Sequence, residues 1–326
     1  MPKTLPPKLL IWLGKFVWTS MWKLMMSEMA PRSTSGAYLR PNSQFRNTVG
    51  DPSYPPEAGR YTLFVGLSCP WAHRTLIVRA LKGLHESIPI AYVSASPLEG
   101  GWVLDEAALG CQSLAELYQL AKPGYQGRAT VPVLWDNTSK TIVNNESAEI
   151  IVMLNGQFNA YARKPTVDLY PEALRSQIEV WNEKIYHAVN NGVYRCGFAQ
   201  TQIAYNQACD ELFSALDRID ETLKTQRFLC GEQLTLADVR LFTTLIRFDV
   251  AYYGIFKCNR RRIEDYPNLY TYVRSLYQLP GIAETCDLER VKQDYYGNLF
   301  PLNPGGIIPA GPDLANLRQP VVQTRE

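Results

Sequence analysis

Cys69, Pro70, His73 and Arg74 stand just beyond a short apolar run, at a spacing that suits a reactive thiol. Tyr61 to Val65 is β-branched and aromatic and stops at Gly66, the pattern of a buried strand. From Thr75 onward the period changes, and Leu76, Ile77, Ala80, Leu81 and Leu84 share one helical face. Pro70 fits the first position of that helix, where its missing N–H costs nothing. Cys69 is then expected at the cap, where unpaired backbone donors and the positive helix end favour a thiolate. His73 and Arg74 are expected to add donors or positive charge one turn on. The thiolate is the nucleophilic form of cysteine, so this reading makes Cys69 an activated nucleophile, against the alternative of an ordinary buried thiol. Ala72 occupies the place of a second cysteine in Cys-x-x-Cys. A lone thiol cannot resolve its own mixed disulfide, so the resolving thiol must come from another molecule, which points to glutathione.

A chain of 326 residues is long enough for two domains, each with its own core. Thirty-three basic residues against 31 acidic ones give a net charge of +2, which demands no polyanionic partner. The tight basic run Arg260-Arg261-Arg262 reads as a solvated loop, and no nucleic-acid partner is expected. Seven cysteines without paired spacing fit a reducing compartment, hence a cytoplasmic location. Three histidines and no Cys/His cluster of ligand spacing imply no metal.

Around the thiol, further elements follow from pattern. Residues 9–29 are rich in tryptophan and methionine. Lys3 and Lys8 ahead of them suggest a signal peptide, but Lys15 and Lys23 interrupt the run, which is short for a spanning helix. An amphipathic helix that packs on the body or a partner subunit, or lies on a membrane surface, fits better. Ile88 to Val93 reads as a second strand, 97–102 as a loop carrying Trp102, and Leu114 to Leu120 as a short helix. Val131 to Leu134 and Lys140 to Val143 read as a hairpin, with Pro132 marking special geometry. Glu146 and Ser147 open a helix at 148–154, where free N–H groups cap with these side chains or bind a carboxylate. Past a linker at 158–170, helices are expected at 174–190 and 202–224. Thr235 and Asp238 form a capping box before another helix.

The block from Cys69 to Ile77, Cys-Pro-Trp-Ala-His-Arg-Thr-Leu-Ile, resembles the signature of the glutathionyl-hydroquinone reductases, the Xi class of glutathione transferases. The likeness continues at Gly127 to Asp136, Thr141 to Ser147, Asn190 to Tyr194 and the Pro304 to Pro309 tail, covering roughly residues 36–312. It implies an α/β thioredoxin-like N-terminal domain followed by an all-α domain, the glutathione transferase fold. The expected divisions are an extension at 1–45, a glutathione-binding domain at 46–160, a helical domain at 170–290 and a tail at 291–326. It also implies a homodimer, glutathione as co-substrate and a quinone-derived acceptor.

By the same resemblance, Trp102 lies against glutathione, a cis Pro132 frees the Val131 backbone to pair with it, and Glu146 and Ser147 hold its γ-glutamyl end. Arg128 is the candidate for the other carboxylate. Tyr194, Tyr295 and Tyr296 are expected to bind the hydroquinone, with Tyr194 or Tyr296 supplying a proton. Asp238 is expected to serve folding. One departure stands out: the family usually continues Tyr-Tyr-x-Ser-His, while this chain has Gly297-Asn298-Leu299 after Tyr296. The implied reaction is reduction of glutathionyl-hydroquinones through a Cys69–glutathione disulfide. A broader omega-like thiol transferase or dehydroascorbate reductase, or a non-catalytic transferase-fold binding module, are the alternatives.

Overall fold

The computed structural model describes residues 6–96 and 101–321. Its N-terminal half is built on β1 (Tyr61–Val65), β2 (Ile90–Ser96), β3 (Gly101–Ala108), β4 (Cys111–Ser113), β5 (Val133–Asp136) and β6 (Thr141–Asn144). These form one sheet in the order β4-β3-β2-β1-β5-β6. β1 and β2 run parallel, Leu63 opposite Ile90, and the remaining pairs are antiparallel. The parallel pair needs a crossover, which α2 (Pro70–Lys82) supplies. Gly83 ends that helix at φ 67°, a left-handed C-cap that glycine adopts without a Cβ penalty. α3 (Leu114–Ala121) and α4 (Ser147–Gly156) complete this half. This is the thioredoxin-like arrangement expected from the sequence.

The expected elements shift in detail. The second strand begins at Ile90 rather than Ile88. Residues 97–100 of the expected loop lie outside the described residues, and Trp102 sits on β3, opposite Ala95. The β3–β4 hairpin was not anticipated, because its alternation is weak.

The second half is helical. It comprises α5 (Arg175–Ile185), α6 (Gly192–Gly197), α7 (Gln202–Thr225), α8 (Leu236–Arg247), α9 (Pro267–Tyr277) and α10 (Leu288–Asn298). The single helix expected over 174–190 is broken: a wide π turn at Tyr186–Asn190 leads into α6. α8 is buried almost all round, and its N-terminus is fastened by Asp238. That carboxylate accepts from the N–H groups of Leu229 and Thr235 and from the hydroxyls of Thr235 and Tyr272. Burial pushes Asp238 above the usual carboxylate range, against the pull of these four donors.

The flanking segments are less separable than the sequence suggested. α10 spans 288–298, so a tail that begins at 291 would cut a helix of the second domain. Within the extension, the backbone N–H of Phe45 donates to Asn145 and the Ser43 hydroxyl donates to Glu146, so the seam at 45 falls inside a wall of the first domain. α1 (Pro7–Met29) meets the body only near its C-terminal end, through Met26 and Ala30, with Trp22 half-buried. Of the settings expected for residues 9–29, packing along the body of this chain is not found.

Candidate active site

Cys69 caps α2 with Pro70 at the first helical position, as the sequence implied. It opens into a cavity of about 460 Å³ between the two halves. The thiol donates to the Val131 carbonyl at 3.7 Å, and the Val131–Pro132 bond is cis. Burial pushes this thiol above its ordinary range; the N–H groups of Ala72 and Trp71 and the charges of Arg40 and Arg247 pull the other way without overcoming it. Of the two neighbours expected to assist the thiol, His73 is turned away and Arg74 acts through its charge. His73 faces away from Cys69: its Nδ1 accepts from Arg247 at 2.7 Å and its Nε2 lies 2.8 Å from the Thr285 hydroxyl. Burial and the Arg247 charge hold His73 well below the usual imidazole range, so it is neutral. Arg74 is also buried and donates to Ser147 and to Asn190, while its charge and that of a Cys69 thiolate favour each other.

Sequence reasoning missed two cations that do act on the thiol. Arg247, only 1% exposed at the end of α8, donates to the carbonyls of Leu67, Ser68 and Thr243 at 2.9, 3.1 and 3.0 Å. It thereby grips the two residues immediately before Cys69 from the other domain. Arg40 comes from the extension, lines the cavity and lies 3.8 Å from the Trp71 ring centre. Nothing in the local sequence pattern singled out either residue.

The remaining expected residues divide into two groups. On one side of Cys69 the cavity is lined by Trp102, Arg128, Val131, Glu146 and Ser147. Trp102 crosses the backbone just before the thiol; a Cβ on Gly66 would fall 2.3 Å from its ring, which explains the glycine there. Glu146 is the N-cap of α4: it accepts from the Ala148 N–H at 3.1 Å and from Ser43 at 3.0 Å. Ser147 begins that helix, so its hydroxyl and the positive helix end line the cavity beside the Glu146 carboxylate. Arg128 is exposed at the rim.

On the other side stand Tyr194 and Tyr295, whose hydroxyls are 2.7 Å apart. The Tyr252 hydroxyl extends this chain, 3.2 Å from that of Tyr295. Burial raises all three phenols above the ordinary tyrosine range, which keeps them protonated at neutral pH. Tyr252 was not foreseen. Tyr296 is not brought to the cavity. Neighbours on a helix point about 100° apart, so α10 can aim only one of the pair inward. Tyr296 instead runs over Gly254, where a Cβ would lie 2.1 Å from its hydroxyl oxygen, and donates to the Ala251 carbonyl at 3.5 Å. Beside Tyr295 the cavity wall is finished by Asp294, Asn298 and Leu299. Among the described residues, no three His, Cys, Asp or Glu side chains are grouped to hold a metal.

A thiol at a helix cap beside a cis-proline, an acid and a hydroxyl at a second helix N-terminus, and a separate helical domain over the cleft define a cysteine-type glutathione transferase. The glutathione S-transferase N-terminal domain model matches residues 68–157, and the glutathione S-transferase C-terminal domain model matches 202–275. Glutathionyl-hydroquinone reductase YqjG of Escherichia coli is 46% identical over 298 residues, 86% of this chain and 90% of its own. Glutathionyl-hydroquinone reductase PcpF of Sphingobium chlorophenolicum is 45% identical, covering 91% of this chain and 94% of its own. The glutathione-bound structure of YqjG superimposes with a TM-score of 0.81 over 86% of this chain and 96% of that one, at 45% identity. The glutathione-S-transferase Xi from Phanerochaete chrysosporium gives 0.83 at 45% identity, over 86% of this chain and 94% of that one. The chain belongs to the glutathione transferase superfamily, in its Xi-class, glutathionyl-hydroquinone reductase branch.

Proposed function

We propose that this chain reduces glutathionyl-hydroquinones to hydroquinones at the expense of glutathione. The observation that carries the reading is the placement of Cys69 on one cavity between the Glu146–Ser147 helix end and the Tyr194–Tyr295 pair. The tripeptide of the conjugate lies along Val131, with its α-amino group on Glu146 and its γ-glutamyl carboxylate on Ser147 and the N-terminus of α4. Trp102 covers it, and Arg128 meets the second carboxylate from the rim.

The Cys69 thiolate attacks the conjugate sulfur, forming an S–S bond as the sulfur–ring carbon bond breaks. The electron pair of that bond goes to the ring carbon, which takes a proton from Tyr194, and hydroquinone leaves. A second glutathione then gives its thiol proton back to Tyr194 as its sulfur attacks the Cys69–glutathione disulfide, releasing oxidised glutathione and regenerating the thiolate. One conjugate and one glutathione thus give one hydroquinone and one disulfide. Tyr295 and Tyr252 share the proton of Tyr194 through their hydroxyl chain. By the same family likeness the enzyme works as a homodimer in the cytoplasm, a setting that its seven free cysteines suit.

The test is mass spectrometry of the protein mixed with a glutathionyl-hydroquinone in the absence of free glutathione. One glutathione on Cys69 with stoichiometric hydroquinone release is expected. No adduct with the conjugate, but one with oxidised glutathione, would replace the proposal with a general thiol transferase. No adduct from either would leave a binding module.

A further inference from the structure

Before its junction with the body, α1 exposes an unusual amount of apolar surface. At 3.6 residues per turn, Leu10, Leu13, Val17, Met21 and Leu24 fall within an arc of about 80°. They are 49, 44, 46, 50 and 67% exposed. Lys8, Lys15 and Lys23 fall within a second arc of about 80° on the opposite side. Phe16, Ile11 and Trp18 widen the apolar surface to about 220° of the helix, and Trp12 stands among the lysines; all four are at least 46% exposed. No aspartate or glutamate precedes Glu28 in the sequence.

We propose that α1 lies on an anionic lipid surface and holds the enzyme there. A packed neighbouring helix covers a stripe of roughly 100°, which would leave much of this surface wet. A bilayer interface covers all of it, while the lysine stems reach back to the headgroup phosphates. Trp12 and Trp18 are the amphipathic aromatics that settle at such a boundary. No described helix is long and apolar enough to cross a membrane, and Lys15, midway along α1, favours a helix lying flat. Positive charge with no acid nearby selects an anionic surface over a neutral one. The far end of the helix reaches the catalytic cleft, because Met29 lines the cavity. Docking therefore brings the cleft toward the interface, where aromatic diols partition; this last point alone rests on the proposed activity.

The experiment is flotation of the full chain with vesicles of phosphatidylcholine, and of phosphatidylcholine mixed with phosphatidylglycerol. Three lysines at about fivefold each predict on the order of 100-fold tighter binding to the anionic vesicles, weakening as salt is raised. Val17→Glu with Leu13→Glu should abolish flotation without altering glutathione binding, since both positions are solvent-facing. Flotation that survives this double substitution, or that ignores lipid charge, overturns the proposal. So does failure to float by a protein whose sedimentation shows a dimer that Val17→Glu dissociates; α1 would then be an interface between copies. None of these readouts requires turnover, so a failure here is distinct from a failure of the reductase reading.

Discussion

Replacing Arg247 by methionine removes the grip of the helical domain on the residues before Cys69. The carbonyls of Leu67 and Ser68 and the Nδ1 of His73 lose their donor in a buried setting. An unsatisfied buried acceptor costs about 1 kcal/mol at the low end, so the three sum to about 3 kcal/mol. Relief from burying a guanidinium offsets part of this, leaving about 2 kcal/mol. In a chain of 326 residues that lowers Tm by about 3 °C, measurable by calorimetry. The same change withdraws a positive charge that favours the Cys69 thiolate, so iodoacetamide alkylation of Cys69 should slow at every pH below its plateau. Arg247→Lys separates the two effects. It keeps the charge, and so much of the alkylation rate, but one ammonium cannot reproduce the fork that spans several carbonyls. If Arg247→Met matches the parent in both Tm and alkylation profile, the argument that this arginine positions the nucleophile is refuted.

Cys69→Ser should abolish hydroquinone release with Tm nearly unchanged, as read by product chromatography beside a melting curve. Tyr194→Phe should cost roughly 10²-fold or more in kcat with little change in KM for glutathione, whereas Tyr296→Phe should stay near the parent, because its hydroxyl lies outside the cavity. Asp238→Ala strips four donors of their acceptor and should destabilise by about 3 kcal/mol in urea titrations. For Asp136, burial raises the carboxyl, but Arg60, Ser139 and the Thr138 N–H overcome it and bring it down to about 2. A depressed carboxylate stabilises the fold above its unfolded value near 4, by about 2 kcal/mol, and loses this as pH falls toward 2. Asp136→Asn should therefore flatten the acid limb of urea midpoints between about pH 5 and 2.

The parts of the site readable from sequence were those fixed by the chain's immediate neighbours. Pro70 one residue after Cys69 forces a helix start, so the cap position of the thiol was legible. Glu146-Ser147 before an apolar run was legible for the same reason. What could not be read depends on long-range placement. Arg247 is 178 positions from Cys69 and looks like any basic residue ending an amphipathic helix. His73 sits one turn beyond Cys69, but α2 turns it toward the helical domain. Tyr295 and Tyr296 are equivalent as letters, and only the rotation of α10 decides which one enters the cavity. Trp102 was found by resemblance, yet the hairpin that carries it was missed because its alternation is irregular.

The chain of phenols is assembled from α6, the turn after α8, and α10, three separate stretches of the helical domain. During synthesis the thiol leaves the ribosome early, whereas the last phenol follows more than two hundred residues later. A nascent or prematurely terminated chain would thus carry Cys69 without the complete chain of phenols. Truncated products ending before α6, and so lacking Tyr194, should form the glutathione adduct poorly with aromatic conjugates even if their first domain folds. The order of translation thus makes completion of the chain a precondition for its chemistry.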